Sequence, residues 1–205
     1  MNKQPGVFCL ENSWAADGKD LTDKTSVEQQ LRMLESAEQI GSVIHRDVAT
    51  MPEFQAYMKE WLKAKYRKYP LAYMSFHGYP GGFWPGDKEL SLAEFADLIG
   101  PGKGRDRTFY FGSCQTMNAK DHELRAFCKT TGAKAIVGYT RTVEWSDSAG
   151  FDCLLLPRLL TMQYPKAVYN QLSKDYNDLV RILGLRMATS SWVTPQKVAA
   201  RTAKA

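Results

Sequence analysis

LAYMSFHG (71–78) and RTFYFGSC (107–114) are the two stretches whose reading decides the fold. Each is a continuous apolar run of strand length that closes on reactive residue types, His77-Gly78 in one and Ser113-Cys114 in the other. Uninterrupted apolar runs, as opposed to alternating ones, are the pattern of strands covered on both faces. Between them SLAEFADLIG (91–100) has the composition and spacing of a short helix. Strand, crossover helix and strand together predict a parallel pair.

The same rhythm extends in both directions. Upstream, GVFCLEN (6–12) and SVIHRDV (42–48) have strand composition. SVEQQLRMLESAEQIG (26–41) sets Val27, Leu31, Leu34 and Ala37 on one helical side, with Ser26 as N-cap and Gly41 as stop. MPEFQAYMKEWLKAKYRKY (51–69) supplies a second amphipathic helix. Downstream come a helix in 118–132, a strand in AKAIVGYT (133–140), helices over 148–162 and 165–185, and a last strand in RMATSSW (186–192). The alternation predicts an α/β three-layer sandwich with a mostly parallel six-stranded sheet. One domain over 1–194 is expected, followed by a basic, flexible tail at 195–205.

Composition narrows the function classes. With 44% hydrophobic residues, 205 residues suffice for one sizeable core. No apolar run nears the ~20 residues that span a bilayer, and MNKQPGVFCLEN lacks a signal-peptide core, so a cytoplasmic protein without membrane partners is expected. The net charge of +5 owes three charges to Lys197, Arg201 and Lys204, which leaves little to attract nucleic acid. GPGKGRDR (100–107) precedes a strand, whereas a phosphate loop follows one, so nucleotide binding there is rejected. Cys9, Cys114, Cys128 and Cys153 show neither zinc-site nor disulfide spacing. Neither a metal nor an organic cofactor is expected.

In open parallel sheets, binding and catalytic groups gather beyond the carboxyl ends of the strands, where His77 and Cys114 both fall. If their strands are neighbours, ~4.8 Å separates the backbones and the two side chains face one crevice. An imidazole raises the thiolate fraction of a nearby thiol and later protonates a leaving amine. The backbone N–H of Gly78 and that of Cys114 are candidate donors to the oxyanion formed in acyl transfer. Cys9, Cys128 and Cys153 lie in apolar patterns without a neighbouring histidine and read as core residues. His45, inside a strand, and His122, in the polar first turns of a helix, read as structural or solvent-facing.

AYMSFHGYPGG and TFYFGSCQT, in that order, resemble the caspase-like peptidases of clan CD, the clan of caspases, legumain, gingipains and separase. Bacterial CHAT-type members look closest, because AKAIVGYTRTVEWSDSAGFDCLLL also resembles their strand followed by Trp145, a spacer and Asp147 before a helix. The resemblance implies a caspase-like sheet and a cysteine endopeptidase with a His77/Cys114 dyad. It also implies a polypeptide substrate and control by a regulatory protein or small-ligand activator in a bacterial signalling or defence context. Clan members place part of the substrate pocket at the end of the first strand, here Glu11 and Asn12. Glu144 and Asp147 are further substrate-binding candidates, and an acidic pocket favours Arg or Lys. Ser146 or Asp147 equally suits the N-cap of the next helix. GYPGGFWPGD after the histidine has the composition of a substrate wall or of ordinary turns. The chain has Gly112-Ser113-Cys114 where caspases have Gln-Ala-Cys, and no long linker between subunits, so aspartate specificity and self-cleavage are not expected. Two alternatives stay open: an inactive caspase-like module that binds a peptide or signalling molecule, and a small-molecule amidase.

Overall fold

A computed structural model describes residues 4–14 and 22–195; the tail proposed at 195–205 lies, beyond its first residue, outside them. Six strands form the main sheet: β1 (Val7–Glu11), β2 (Val43–Asp47), β3 (Leu71–Ser75), β7 (Thr108–Phe111), β8 (Ala135–Tyr139) and β9 (Leu185–Ala188). Their order is β2-β1-β3-β7-β8-β9, parallel throughout except that β9 pairs antiparallel with β8. Every residue of β1, β3, β7 and β8 is buried, which explains their unbroken apolar runs. At the edge, β2 buries only its first residue, and its sequence becomes polar accordingly.

Side chains alternate between the two faces of the sheet. Phe8, Leu10, Met74, Phe109, Phe111 and Ile136 pack on one side with α2 (Met51–Trp61), α3 (Leu92–Ile99) and α4 (Asp121–Thr131). Val7, Cys9, Tyr73, Tyr110, Val137 and Tyr139 pack on the other with α1 (Glu28–Ser36), α5 (Trp145–Thr161), α6 (Pro165–Asp175) and α7 (Asn177–Leu183). The expected three-layer α/β sandwich is thus present. On the first side Phe95 meets Phe83 and Phe109 edge-on, and each such buried ring contributes roughly 1.5–3 kcal/mol by leaving water.

Local chemistry sets the helix starts. Thr50 and Ser91 each accept from the backbone N–H three residues on while Glu53 and Glu94 reach back, a reciprocal cap at the heads of α2 and α3. Several boundaries differ from the sequence reading. Val27, with helical backbone and no side-chain cap, takes the N-cap position of α1, while Ser26 just before it still accepts from Glu28 N–H as a capping hydroxyl does and donates to Glu11. The helix expected over 165–185 breaks at Tyr176, whose backbone leaves helical geometry, to give α6 and α7. GYPGGFWPGD contributes to a small three-stranded antiparallel sheet, β4 (Gly78–Tyr79), β5 (Gly82–Phe83) and β6 (Leu90–Ser91), too short to leave an alternating pattern.

Candidate active site

Parallel pairing of β3 with β7, Leu71 opposite Thr108 through Met74 opposite Phe111, brings both reactive strand ends to one edge of the sheet. The backbone stays tied beyond the ladder. Gly112 N–H donates to Met74 carbonyl at 3.0 Å, and the Ser113 hydroxyl accepts from Phe76 N–H and donates to Met74 carbonyl, both at 3.4 Å. A side chain at Gly112 would collide with the Tyr73 ring, and one at Gly78 with the carbonyl oxygen of Cys114. Two glycines therefore allow the His77-Gly78 segment to lie directly against the turn that carries Cys114.

His77 is exposed and Cys114 half-buried. The Cys114 sulfur lies 3.4 Å from the backbone N of Val143, which donates to it, and 3.7 Å from the Val143 carbonyl. Gln115 holds a left-handed backbone (φ 58°), and its N–H donates to Arg141 carbonyl at 3.0 Å. The strained turn is thereby pinned to the chain leaving β8. The His77 ring meets Trp14 edge-on, with centroids 5.4 Å apart. Trp84 N–H donates to His77 carbonyl, which makes Gly78 and Phe83 a non-hydrogen-bonded pair and leaves Gly78 N–H outside the hairpin ladder.

The other three thiols are poorly placed as nucleophiles. Cys9 and Cys128 are buried and Cys153 is half-buried. Burial pushes the Cys128 thiol up to about 12. Burial also raises Cys9, helped by Glu11, and Cys153, helped by Asp152. Such thiols hold almost no thiolate near neutrality.

The remaining candidates divide into two groups. Glu11, at the end of β1, is 2% exposed, and its carboxylate accepts from Trp14 Nε1 (2.8 Å), Ser26 Oγ (2.6 Å), Val27 N–H (2.9 Å) and Ser75 Oγ (3.3 Å) and pairs with His45 Nε2 (2.8 Å). Burial alone would raise its pKa, but the bonds from His45, Ser26, Val27 and Trp14 outweigh it and hold the carboxyl below its usual range. His45 is raised in turn: burial disfavours its charge, while the Glu11 bond and the charges of Glu11, Glu28 and Asp47 more than compensate. Asn12 follows on the surface side, its side-chain oxygen accepting from Ser13 N–H. Glu11, His45 and Asp47 place potential metal-ligand atoms within 4.8 Å of one another, but Glu11 and His45 already bond each other and the other Glu11 donors compete for the same oxygens.

Glu144 and Asp147 are exposed, in the segment that continues directly from Val143. Helix α5 begins at Trp145 with Glu144 in the N-cap position and no side-chain cap, so neither Ser146 nor Asp147 is the cap that the sequence allowed. Asp147 lies in the first turn, where a carboxylate favours the helix dipole.

Three participants escaped the sequence reading. Trp14 and Val143 become visible only once the chain is folded, the one against His77 and the other against Cys114. The third is Asp152 in α5, fully buried, accepting from Tyr73 (2.5 Å), Tyr110, Tyr139 (3.2 Å) and Gln30 Nε2 (3.2 Å). Burial raises its carboxyl to about 6 against the pull of these donors. Gly112 lies close against the Tyr73 ring, so this buried network reaches to within two residues of Cys114.

Comparison with known proteins adds one assignment. The chain belongs to a family of unknown function, DUF6642. Residues 4–188 match that family's model, a span that takes in both reactive strand ends and all six strands of the main sheet. No curated protein matches the chain.

Proposed function

We propose that this member of the family is a cysteine endopeptidase with a caspase-like site in which Cys114 is the nucleophile and His77 the acid–base. One observation carries the reading: β3 and β7 are adjacent parallel strands, and Gly78 rests against the backbone carbonyl of Cys114. In this mechanism the Cys114 sulfur attacks the peptide carbonyl as His77 takes the thiol proton. The N–H groups of Gly78 and Cys114 stabilise the oxyanion, and His77 then protonates the departing amine. Water attacks the thioester, His77 accepts its proton, and the acid product leaves with the thiol restored.

Basic residues before the scissile bond fit Glu144 and Asp147, whose carboxylates are exposed beside the Val143 backbone. Glu11 contributes by holding Trp14 against His77, since a substrate cation would have to displace donors it already has. Asn12 lies on the same rim. A partner protein or small ligand controls the activity in the cytoplasm. The raised pKa values of Cys9, Cys128 and Cys153 favour this reading over any other thiol nucleophile.

Fluorogenic peptides with Arg, Lys or Asp before the leaving group test the assignment, with purified protein and with protein supplemented by cell lysate. Cleavage after Arg or Lys that disappears in Cys114→Ala and His77→Ala is the expected result. Cleavage that persists in Cys114→Ala overturns it.

A further inference from the structure

A second concave site lies behind the cysteine turn, between the end of β8, the start of β9 and helices α6 and α7. It is a cavity of about 420 Å3 lined by Arg141, Arg181 and Arg186 together with Tyr169, Ser173 and Asn177 among others, and no Asp or Glu lines it among the described residues. Arg186 is only 2% exposed. Its terminal nitrogens donate to the carbonyls of Met117 (2.9 Å) and Ala119 (2.5 Å) and pair with Asp121. Its Nε, however, is buried without a hydrogen-bond partner among the described residues, and so is the hydroxyl of Ser173. A buried polar atom left unbonded costs about 1–3 kcal/mol, and Arg186 and Ser173 each carry one within the wall of the cavity rather than on its surface. Asp121 balances Arg186, and Asp178 approaches Arg181 only at 3.7 Å with both side chains exposed; Arg141 adds a third cation.

From this geometry we infer that the cavity binds a phosphorylated small molecule of nucleotide size, and that its occupancy sets the conformation of the turn carrying Cys114. Guanidinium forks match phosphate oxygens in pairs, and Ser173, Asn177 and Tyr169 supply further polar groups. The volume exceeds what one phosphate fills and falls in the range of small-ligand sites. The cavity and the cysteine turn share a wall. Arg141 carbonyl accepts from Gln115 N–H, Gln115 Nε2 donates to Thr142 Oγ1 at 3.0 Å, and Asn118, which also lines the cavity, donates its N–H to Gln115 carbonyl at 2.7 Å. Arg186 clamps the carbonyls of Met117 and Ala119 just beyond. A ligand that draws on Arg141 therefore pulls on a turn whose Gln115 is in a left-handed conformation and is tied to the Arg141 carbonyl.

Binding stands apart from any peptidase activity; the coupling rests on Cys114 being the reactive thiol. Calorimetric titration of the full chain with ADP and with inorganic pyrophosphate tests the first part. Saturable binding of at least one is expected, weakened at least about tenfold in Arg181→Glu and in Arg141→Glu and largely retained in Arg181→Lys. Lys129→Glu, the same charge change on exposed α4, leaves it unaltered. No binding of either probe, or equal weakening by Lys129→Glu, overturns the site. For the coupling, the rate of Cys114 alkylation by iodoacetamide, read by mass spectrometry, changes several-fold when the binding probe is added and does not change in Arg181→Glu. An unchanged rate in the wild-type protein overturns the coupling even where binding is found, and neither readout requires peptide cleavage.

Discussion

Two pairs of ionisable groups lie on neighbouring strands of one sheet, and the fold treats them in opposite ways. Glu11 and His45, at β1 and β2, are bonded to each other, and Glu11 is closed in by donors from Trp14, Ser26, Val27 and Ser75. His77, just past β3, is exposed, and Cys114, just past β7, is half-buried with only the Val143 backbone bonded to its sulfur. A carboxylate and an imidazole closed in by side-chain partners hold structure together, whereas an exposed imidazole and a thiol bonded only to backbone are free to do chemistry. Glu11 closes β1 and His45 sits within β2, whereas His77 and Cys114 lie just past the ends of β3 and β7. Saturation also separates them.

The contrast breaks most visibly in activity. Replacing His77 or Cys114 by Ala is expected to remove peptide cleavage by about a thousandfold or more, while the melting temperature stays near wild type, because neither side chain is a core residue. Replacing Glu11 should do the reverse. Glu11→Ala leaves His45 without its buried partner and is expected to cost about 3–5 kcal/mol in denaturant unfolding.

The pH dependence sharpens the same comparison. Glu11 is held below its ordinary range, so its contribution is present above the usual carboxylate pKa and lost as pH falls through the depressed value. His45 is raised above its ordinary 6.5, so its contribution is present in acid and lost as pH climbs through the raised value. The pair therefore stabilises most between the two. The stability gap between wild type and Glu11→Gln, followed as thermal unfolding against pH, should be widest in that window and narrow on either side.

Asp152 gives a smaller effect of opposite sign. Its carboxyl, raised from 3.8 to about 6, is most stable in the fold when protonated. Wild type should lose about 3 kcal/mol relative to Asp152→Asn as pH rises from about 4 to above 6, and a gap that does not move with pH would remove the ionisation from this site. Smallest of all is Trp14→Phe, which deletes one indole donor to Glu11 and should cost about 1 kcal/mol of stability.

Much of this arrangement could be read from the chain. Continuous apolar runs gave the buried strands, and the strand–helix rhythm gave the parallel sheet, because both follow from local burial patterns. The edge role of β2 showed in the polar end of SVIHRDV. His77 and Cys114 stood out because each closes an apolar strand. What escaped was set by distant contacts. Glu11 looked like a free acid for a substrate because nothing local reveals that His45, thirty-four positions on, bonds it. Asp152 looked like one polar residue in an apolar helix, and its three tyrosines come from three different strands. Short strands such as β4 to β6 carry too few residues for a period to register.

The open pair is tested most directly by labelling with a peptidyl electrophile that carries Arg or Lys next to the warhead, the modified residue located by mass spectrometry. Modification confined to Cys114, abolished in Cys114→Ala and strongly slowed in His77→Ala with thermal stability unchanged, is the predicted result. Labelling that is undiminished in Cys114→Ala, or equally fast in His77→Ala, would contradict it.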